Sequence, residues 1–142
     1  MFSLDHRVRV FVFQILAHEV QFLLARQKPV QEWPPGPVVG RIAPDEHIRD
    51  AVMREVREET GIRRPLHLMD LSQPSKELFG DIGLVEWPFA YQSGAPASPT
   101  GPLQPGPSIG ELLWVGFEEA FQRLEATTDR ETLVRLRVQL QG

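Results

Sequence analysis

The stretch "RVRVFVFQIL" (Arg7–Leu16) alternates polar with β-branched or aromatic positions and then turns almost wholly apolar; after "AHE", the run "VQFLLAR" (Val20–Arg26) has the same character. Two such runs separated by a short polar break predict a β-hairpin. "QKPVQEWPPGPVVG" (Gln27–Gly40), punctuated by four prolines, reads as a loop that ends in a short strand at Val38–Val39. The period then changes. Asp45 is placed to act as an N-cap, Glu46 adds charge to the first turn and Gly61 stands where a helix stops, so a helix is expected over about Glu46–Thr60. "PLHLMDLSQ" and "ELFGDIGLVEWPFAY" read as further strands, and the Pro/Gly/Ser stretch Gln92–Gly110 is a loop of the length associated with function or disorder. "ELLWV" is a last strand. "FEEAFQRL" and "DRETLVRLRVQL" are helical by period, with Leu133, Leu136 and Leu140 on one stripe of the second. The order β-β-loop-α-β-β-loop-β-α-α, without repeats or a linker, predicts one domain over residues 1–142 of α/β (α+β) class. It is a mixed sheet sandwiched between helices, not a doubly wound one.

The first helix carries an anomaly. At about 100° per residue, Ile48, Ala51 and Val52 share an arc with Glu55, and Glu58 and Glu59 fall in the same arc. Arg49, Met53 and Arg57 lie opposite, on the side expected to meet water. The stripe that should pack therefore turns acidic halfway along, where like charges repel and burial penalises each of them. Arg54 can pair with Glu58 at i+4, but three anions on one face call for more positive charge. A solvated, ion-paired helix end would have the same composition, so facial position alone does not separate the two readings.

Composition narrows the chemistry. The chain has 142 residues, 42% of them hydrophobic, and a net charge of −4 from 15 basic and 19 acidic residues. A chain of this size buries roughly 68–70% of its unfolded surface in a single core. The acidic balance argues against a sequence-independent grip on a nucleic acid polymer, so a phosphate-bearing ligand would be held locally, through a cation. The absence of cysteine removes disulfides, thiol chemistry and Cys-ligated zinc, and is compatible with a reducing compartment. No apolar run approaches the length of a membrane span, and a cytoplasmic protein with no membrane partner is expected.

Spacing is what gives the acids a role. Gly40, five residues, Glu46, seven residues, Arg54-Glu55-Val56, one residue, Glu58-Glu59, one residue, Gly61-Ile62 fixes nine positions in a frame of 23. This pattern matches the signature of the Nudix hydrolases at each fixed position, and the chain resembles that family also in length and in its order of elements. The resemblance implies the Nudix sheet between helices with a loop-helix-loop catalytic motif. It also implies hydrolysis of a nucleoside diphosphate linked to another moiety, with Mg²⁺ or Mn²⁺ as cofactor. Carried over by position, Glu55, Glu58 and Glu59 are metal ligands with the Gly40 carbonyl beside them, Glu58 and Glu59 have the main catalytic part, and Arg54 orients a carboxylate. Glu46 would anchor the loop or reach an outer metal through water. The chain departs from the family in having Val39 where a second glycine commonly precedes Gly40.

The residues themselves favour the same chemistry. Clustered carboxylates without cysteine or paired histidine select hard cations such as Mg²⁺ and Mn²⁺ over zinc. The general base is either a glutamate of the motif or Glu111, just after the long loop, whose other reading is a polar residue opening a strand. Trp33, Trp87, Phe89 and Tyr91 are candidates to stack a nucleobase, whereas Trp114 belongs to an apolar strand. The expected partner is a small nucleotide-type substrate, a nucleoside triphosphate or a dinucleotide polyphosphate, acted on by a monomer or homodimer. The alternative is a non-catalytic sensor or interaction module on the same fold, although such modules usually lose motif glutamates and none is lost here. His6, His18, His47 and His67 form no metal-binding frame, and neither a P-loop nor a Gly-x-Ser-x-Gly elbow is present.

Overall fold

Val8, Val10 and Val12 face one side of the sheet and Phe11 and Phe13 the other, and all five are buried. That alternation along strand β1 (Ser3–Leu16) divides the interior into two cores, as the two-residue repeat of a strand requires. In the computed structural model, residues 3–71, 74–94 and 103–141 are described. Strand β1 turns into β2 (Glu19–Gln27) through Ala17 and His18, both with left-handed backbone (φ 49 and 70). Two positive-φ residues between paired Leu16 and Glu19 make the turn that follows the twist of a hairpin. The expected hairpin is therefore formed. Strand β3 (Val38–Arg41) pairs antiparallel with the first half of β1, placing Gly40 opposite Val8.

The helix α1 (Ile48–Thr60) starts two residues later than its sequence suggests. His47 rather than Asp45 caps it, its Nδ1 accepting from the Arg49 N–H (3.2 Å). Asp45 takes a left-handed conformation (φ 65) in the turn before, which withdraws it from the capping position. Gly61 does close the helix, at φ 80 and with its N–H donated to the Arg57 carbonyl, the conformation in which a side chain is strained. Beyond α1 lie β4 (His67–Asp70), β5 (Ser75–Phe79), β6 (Ile82–Gln92), β7 (Ile109–Val115), α2 (Phe117–Arg123) and α3 (Thr127–Gln141). The stretch read as one strand from Glu77 onward is thus a hairpin, β5 and β6 meeting at Gly80–Asp81 with Phe79 paired to Ile82. Of the long Pro/Gly/Ser loop, residues 95–102 lie outside the described residues.

The sheet runs β4-β6-β1-β2-β7, with β3 beside β1 and β5 beside β6. It is mixed: β1 and β6 are parallel across eleven paired positions, from Ser3↔Ile82 to Phe13↔Gln92, while the other pairings are antiparallel. One face packs Val8, Val10, Phe89 and Tyr91 against Ala51, Val52 and Val56 of α1; the other packs Phe11, Phe13 and Phe22 against Ala120 of α2 and Leu133 and Leu136 of α3. The leucine stripe of α3 is therefore the packing face that its period predicts. No helix of the described residues is long and apolar enough to cross a membrane.

Truncating Leu136, which is fully buried, should cost about 2–5 kcal/mol by lost transfer energy plus a residual cavity. Val134, 40% exposed on the same helix, should change stability by no more than about 0.5 kcal/mol when replaced by Ala. Urea unfolding of Leu136→Ala and Val134→Ala checks this, and equal midpoints would refute the assigned face of α3.

Candidate active site

One guanidinium organises the acidic end of α1. Arg54 donates from Nε to Glu46 (2.8 Å), from Nη1 to Glu55 (2.7 Å) and Glu58 (3.3 Å), and from Nη2 to Glu46 (3.0 Å) and to the Arg41 carbonyl (2.9 Å). Glu46 in turn accepts from the Ala43 N–H (2.9 Å), so it anchors the loop that connects β3 to α1. Arg54, helped by that backbone N–H, holds the Glu46 carboxyl at about 2. The same carboxylates raise the Arg54 guanidinium further above its ordinary value. Glu55 behaves differently. Burial outweighs its hydrogen bond to Arg54, and its carboxyl is raised from the ordinary 4.5.

The three acids of the motif are not equivalent. Glu55 is 9% exposed, the Glu58 side chain is 56% exposed, and Glu59 lies between these extremes. The acidic face thus turns gradually from core to solvent rather than projecting three carboxylates from the packing face. Met53, placed by its phase on the water side, is partly buried against the α1 core, and Arg57 is exposed. Glu59 accepts no hydrogen bond from any described residue; burial first, then the charges of Glu55 and Glu58, push its carboxyl up to about 7. Among the described residues no cation is paired with it.

Gly40 is explained by contact. A Cβ there would lie 1.9 Å from the Glu55 Cδ and 2.2 Å from its Oε2, so only a residue without a side chain lets the acid sit over β3. The Gly40 backbone and Glu55 are thereby brought together, with Glu58 reached through Arg54. The donor set consists of carboxylate oxygens and fits a hard divalent cation. Among the described residues, however, no three acid or imidazole side chains already meet as a ligand set. Glu55 and Glu58 are both engaged by Arg54 Nη1, so an entering cation competes with that guanidinium.

Glu59 also lines a cavity of about 530 Å³. Trp33 and Pro34–Pro37 form one wall, Arg7, Arg9 and Glu86 come from β1 and β6, and Glu125 and Asp129 from the α2–α3 side. Arg9 is fixed at Asp129 by two hydrogen bonds, one of 2.6 Å, and reaches Glu86 at 3.3 Å. Burial opposes its charge, but these two acids more than offset it and raise the guanidinium. Trp33 is 47% exposed and is the one of the four candidate aromatics that lines the cavity. The other three need correction. Trp87, Phe89 and Tyr91 alternate along β6 and so share its α1 face, where Phe89 and Tyr91 are buried in the core and Trp87 packs on it, its indole N–H donated to His6 (3.2 Å). Glu111 stands just after the long loop, in β7, outside the lining of this cavity and facing Arg26 at 4.0 Å.

Arg7, Arg9 and Glu86 were not among the residues expected at the site. Their signal was present in "RVRV" and "VEWP": charged residues at alternate positions of strands whose other positions are apolar. Such residues face a covered side of the sheet, where a charge needs either a partner or a cavity.

A family profile described as the NUDIX domain matches residues 5–136. Among solved structures, a binary complex of the Caenorhabditis elegans Ap4A hydrolase is 18% identical, over 97% of this chain and 98% of that one, with a TM-score of 0.75. The NUDIX domain of Shewanella oneidensis NrtR, complexed with ADP ribose, is 16% identical over 99% and 90% of the two chains (TM-score 0.77). The MutT protein of Methanosarcina mazei Go1 is 19% identical over 99% and 98% (TM-score 0.71). At these identities the likeness is one of fold.

Two outcomes are expected from the carboxylate geometry. Glu59 has a higher proton affinity in the fold (about 7) than its ordinary 4.5, so it contributes stability at low pH that is lost as pH rises through about 7. Without divalent ions, the melting temperature should fall between about pH 5 and pH 8, and Glu59→Gln should flatten that fall; identical pH profiles of the two proteins would contradict the assignment. Gly40→Ala drives a Cβ into the Glu55 carboxylate and should cost about 1–3 kcal/mol in urea unfolding.

Proposed function

The chain belongs to the NUDIX family of pyrophosphohydrolases, and from that premise we propose that it hydrolyses a pyrophosphate bond of a nucleoside triphosphate or dinucleotide polyphosphate with Mg²⁺ or Mn²⁺ as cofactor. The observation that carries this reading is that Glu59, with no cationic partner among the described residues, lines the same cavity as the half-exposed Trp33. The two ends of a nucleotide have opposite needs. Its base wants a flat apolar surface and its phosphates want positive charge, and a ring at one wall with a cation-seeking carboxylate at another suits both. Six charged residues line the cavity, two basic and four acidic, which disfavours an anion everywhere except where a cation is bound.

Glu55, Glu58 and Glu59, with the Gly40 carbonyl, would hold the cation. When bound it supplies positive charge to the phosphoryl oxygens and lowers the pKa of a water molecule into the range where it attacks phosphorus. The chain's own contribution is positioning. Arg54 keeps Glu55 and Glu58 within reach of one another against their mutual repulsion, the α1 core holds Glu55 rigid, and Trp33 orients the base. The attacking oxygen forms its bond to phosphorus as the bond to the bridging oxygen breaks, and the departing phosphate carries that electron pair away. Glu59, the glutamate of the motif that lines the cavity, is the general base of this reading, whereas Glu111 faces Arg26. The protein is expected to act on small nucleotides in the cytoplasm.

Phosphate release from a nucleotide panel with Mg²⁺ or Mn²⁺, coupled to inorganic pyrophosphatase or phosphatase, tests the activity. Binding without turnover across that panel would favour a nucleotide sensor on the same fold. Glu58→Gln and Glu59→Gln should each lower kcat/KM by about 10²-fold or more, about 2.7 kcal/mol of transition-state stabilisation. Arg57→Gln, exposed on the opposite face of α1, should cost little. Near-native turnover by both glutamate variants would place the chemistry elsewhere.

A further inference from the structure

The segment from Leu103 to Gly110 is attached at both ends of the cavity. On the carboxylate side, the Gln104 N–H donates to the Thr60 carbonyl (2.8 Å) and the Gly106 N–H to the Glu59 carbonyl (3.1 Å). Two of the carbonyls that a helix leaves unpaired in its last turn are thus satisfied by this segment, in the turn that carries Glu58 and Glu59. The fit is tight. A Cβ on Gly106 would lie 2.4 Å from the Glu58 carbonyl oxygen and 3.4 Å from the Glu59 Cα, and a Cβ on Gly61 would lie 2.9 Å from the Gln104 Cβ. Both contacts of Gly106 are with helix backbone, which cannot move aside as the end of a side chain can.

On the far side, the Ser108 carbonyl accepts from the Lys28 N–H (2.9 Å), and a Cβ on Gly110 would lie 2.6 Å from the Val30 Cγ1. Lys28 and Val30 open the loop that continues to Trp33 and to Gly36, itself paired with Ala25 by two backbone hydrogen bonds (2.8 and 2.9 Å). Between the two attachments the Ile109 N–H turns back to the Gly106 carbonyl (3.1 Å), and Ile109 lines the cavity. The seven residues Gln104–Gly110 therefore link the backbone under Glu59 to the backbone ahead of Trp33.

We propose that Leu103–Gly110 is a spacer that fixes the separation between the carboxylate end and the aromatic end of the cavity, with Gly106 and Gly110 as its two positioning residues. The inference rests on the reading that a nucleotide spans Glu59 and Trp33. Displacing the spacer at Gly106 moves the helix turn that aims the acids; displacing it at Gly110 moves the wall that receives the base. Misplacement of an ångström or less in either direction is enough to alter binding.

The experiment measures Mn²⁺ binding by electron paramagnetic resonance without nucleotide, and ADP binding by calorimetry at saturating Mn²⁺, on Gly106→Ala, Gly110→Ala and Gly116→Ala. Gly116 has open space where its Cβ would be and serves as the control. Gly106→Ala should raise the Mn²⁺ dissociation constant roughly tenfold or more, as loss of support around a metal site does. Gly110→Ala should weaken ADP several-fold with Mn²⁺ affinity unchanged, and Gly116→Ala should alter neither. Native Mn²⁺ affinity in Gly106→Ala, or equal effects of Gly106→Ala and Gly110→Ala on Mn²⁺, overturns the spacer. If Gly106→Ala loses its native circular dichroism, amide exchange of the unmodified protein decides. Slower exchange at Gln104 and Gly106 on adding Mn²⁺ supports the spacer, and unchanged exchange overturns it. No Mn²⁺ binding by the unmodified protein would overturn the role of the carboxylates, and the spacer with it.

Discussion

Much of this site rests on the saturation of a single guanidinium. Arg54 uses its fork on Glu46, Glu55, Glu58 and the Arg41 carbonyl, and in doing so ties the loop after β3 to the middle of α1. A carboxylate as buried as Glu55 would cost several kcal/mol without a partner. Arg54 supplies that partner from the next position along the helix, at an angle that also reaches Glu58 one turn on. Lysine would carry the charge but not the planar fork, and could not serve four acceptors in these directions. The arrangement leaves one acid, Glu59, outside the network. Among the described residues, the acid of the motif without a cationic partner is thus the one that lines the cavity.

The two-faced sheet makes that place possible. Because β1 alternates, its even positions build the core under α1 while its odd positions pass from Arg7 and Arg9 to Phe11 and Phe13. One strand therefore seals the second core with aromatic rings at one end and floors the cavity with guanidinium groups at the other. Arg9 is kept there by Asp129 from α3, so the helix that packs over the phenylalanines also balances the charge beside them. Core and cavity are consecutive stretches of a single surface, with the boundary falling between positions 9 and 11.

This explains which parts of the molecule were legible from residues alone. The motif from Gly40 to Ile62 could be read because its chemistry is carried by spacing along one helix, and the leucine stripe of α3 because period fixes its face. The β1–β2 hairpin was equally plain. What spacing along a strand cannot say is which of its faces a cavity opens on. Trp87, Phe89 and Tyr91, expected to stack a base, lie on one face of β6, but that face is the α1 core, and Glu86, the residue before Trp87, is the one that meets the cavity. For Glu111, position in the chain shows that it follows the long loop but not that pairing with β2 turns it to Arg26. The cap of α1 depended on backbone conformation, since Asp45 has the right chemistry and the wrong φ.

The parallel pairing of β1 with β6 has a consequence for how the chain acquires its structure. Ser3 finds its partner about eighty residues later, and β2 must wait for β7. Loop closure over such distances is slow relative to local hairpins and helices. On the ribosome, where the chain grows from its first residue, the β1–β2 hairpin, β3 and the residues of α1 emerge well before β6 can dock. Phe89 and Tyr91, the two large rings of the surface on which α1 rests, arrive last of that set. Until then the seat of α1 consists of the valines of β1 and β3 without these two rings, while Arg54 can already meet Glu46, Glu55 and Glu58 within its own segment. The arrival of the sixth strand completes the packing under the acidic helix, so the chemistry of this chain is finished late, by a segment that contributes no acid to the motif.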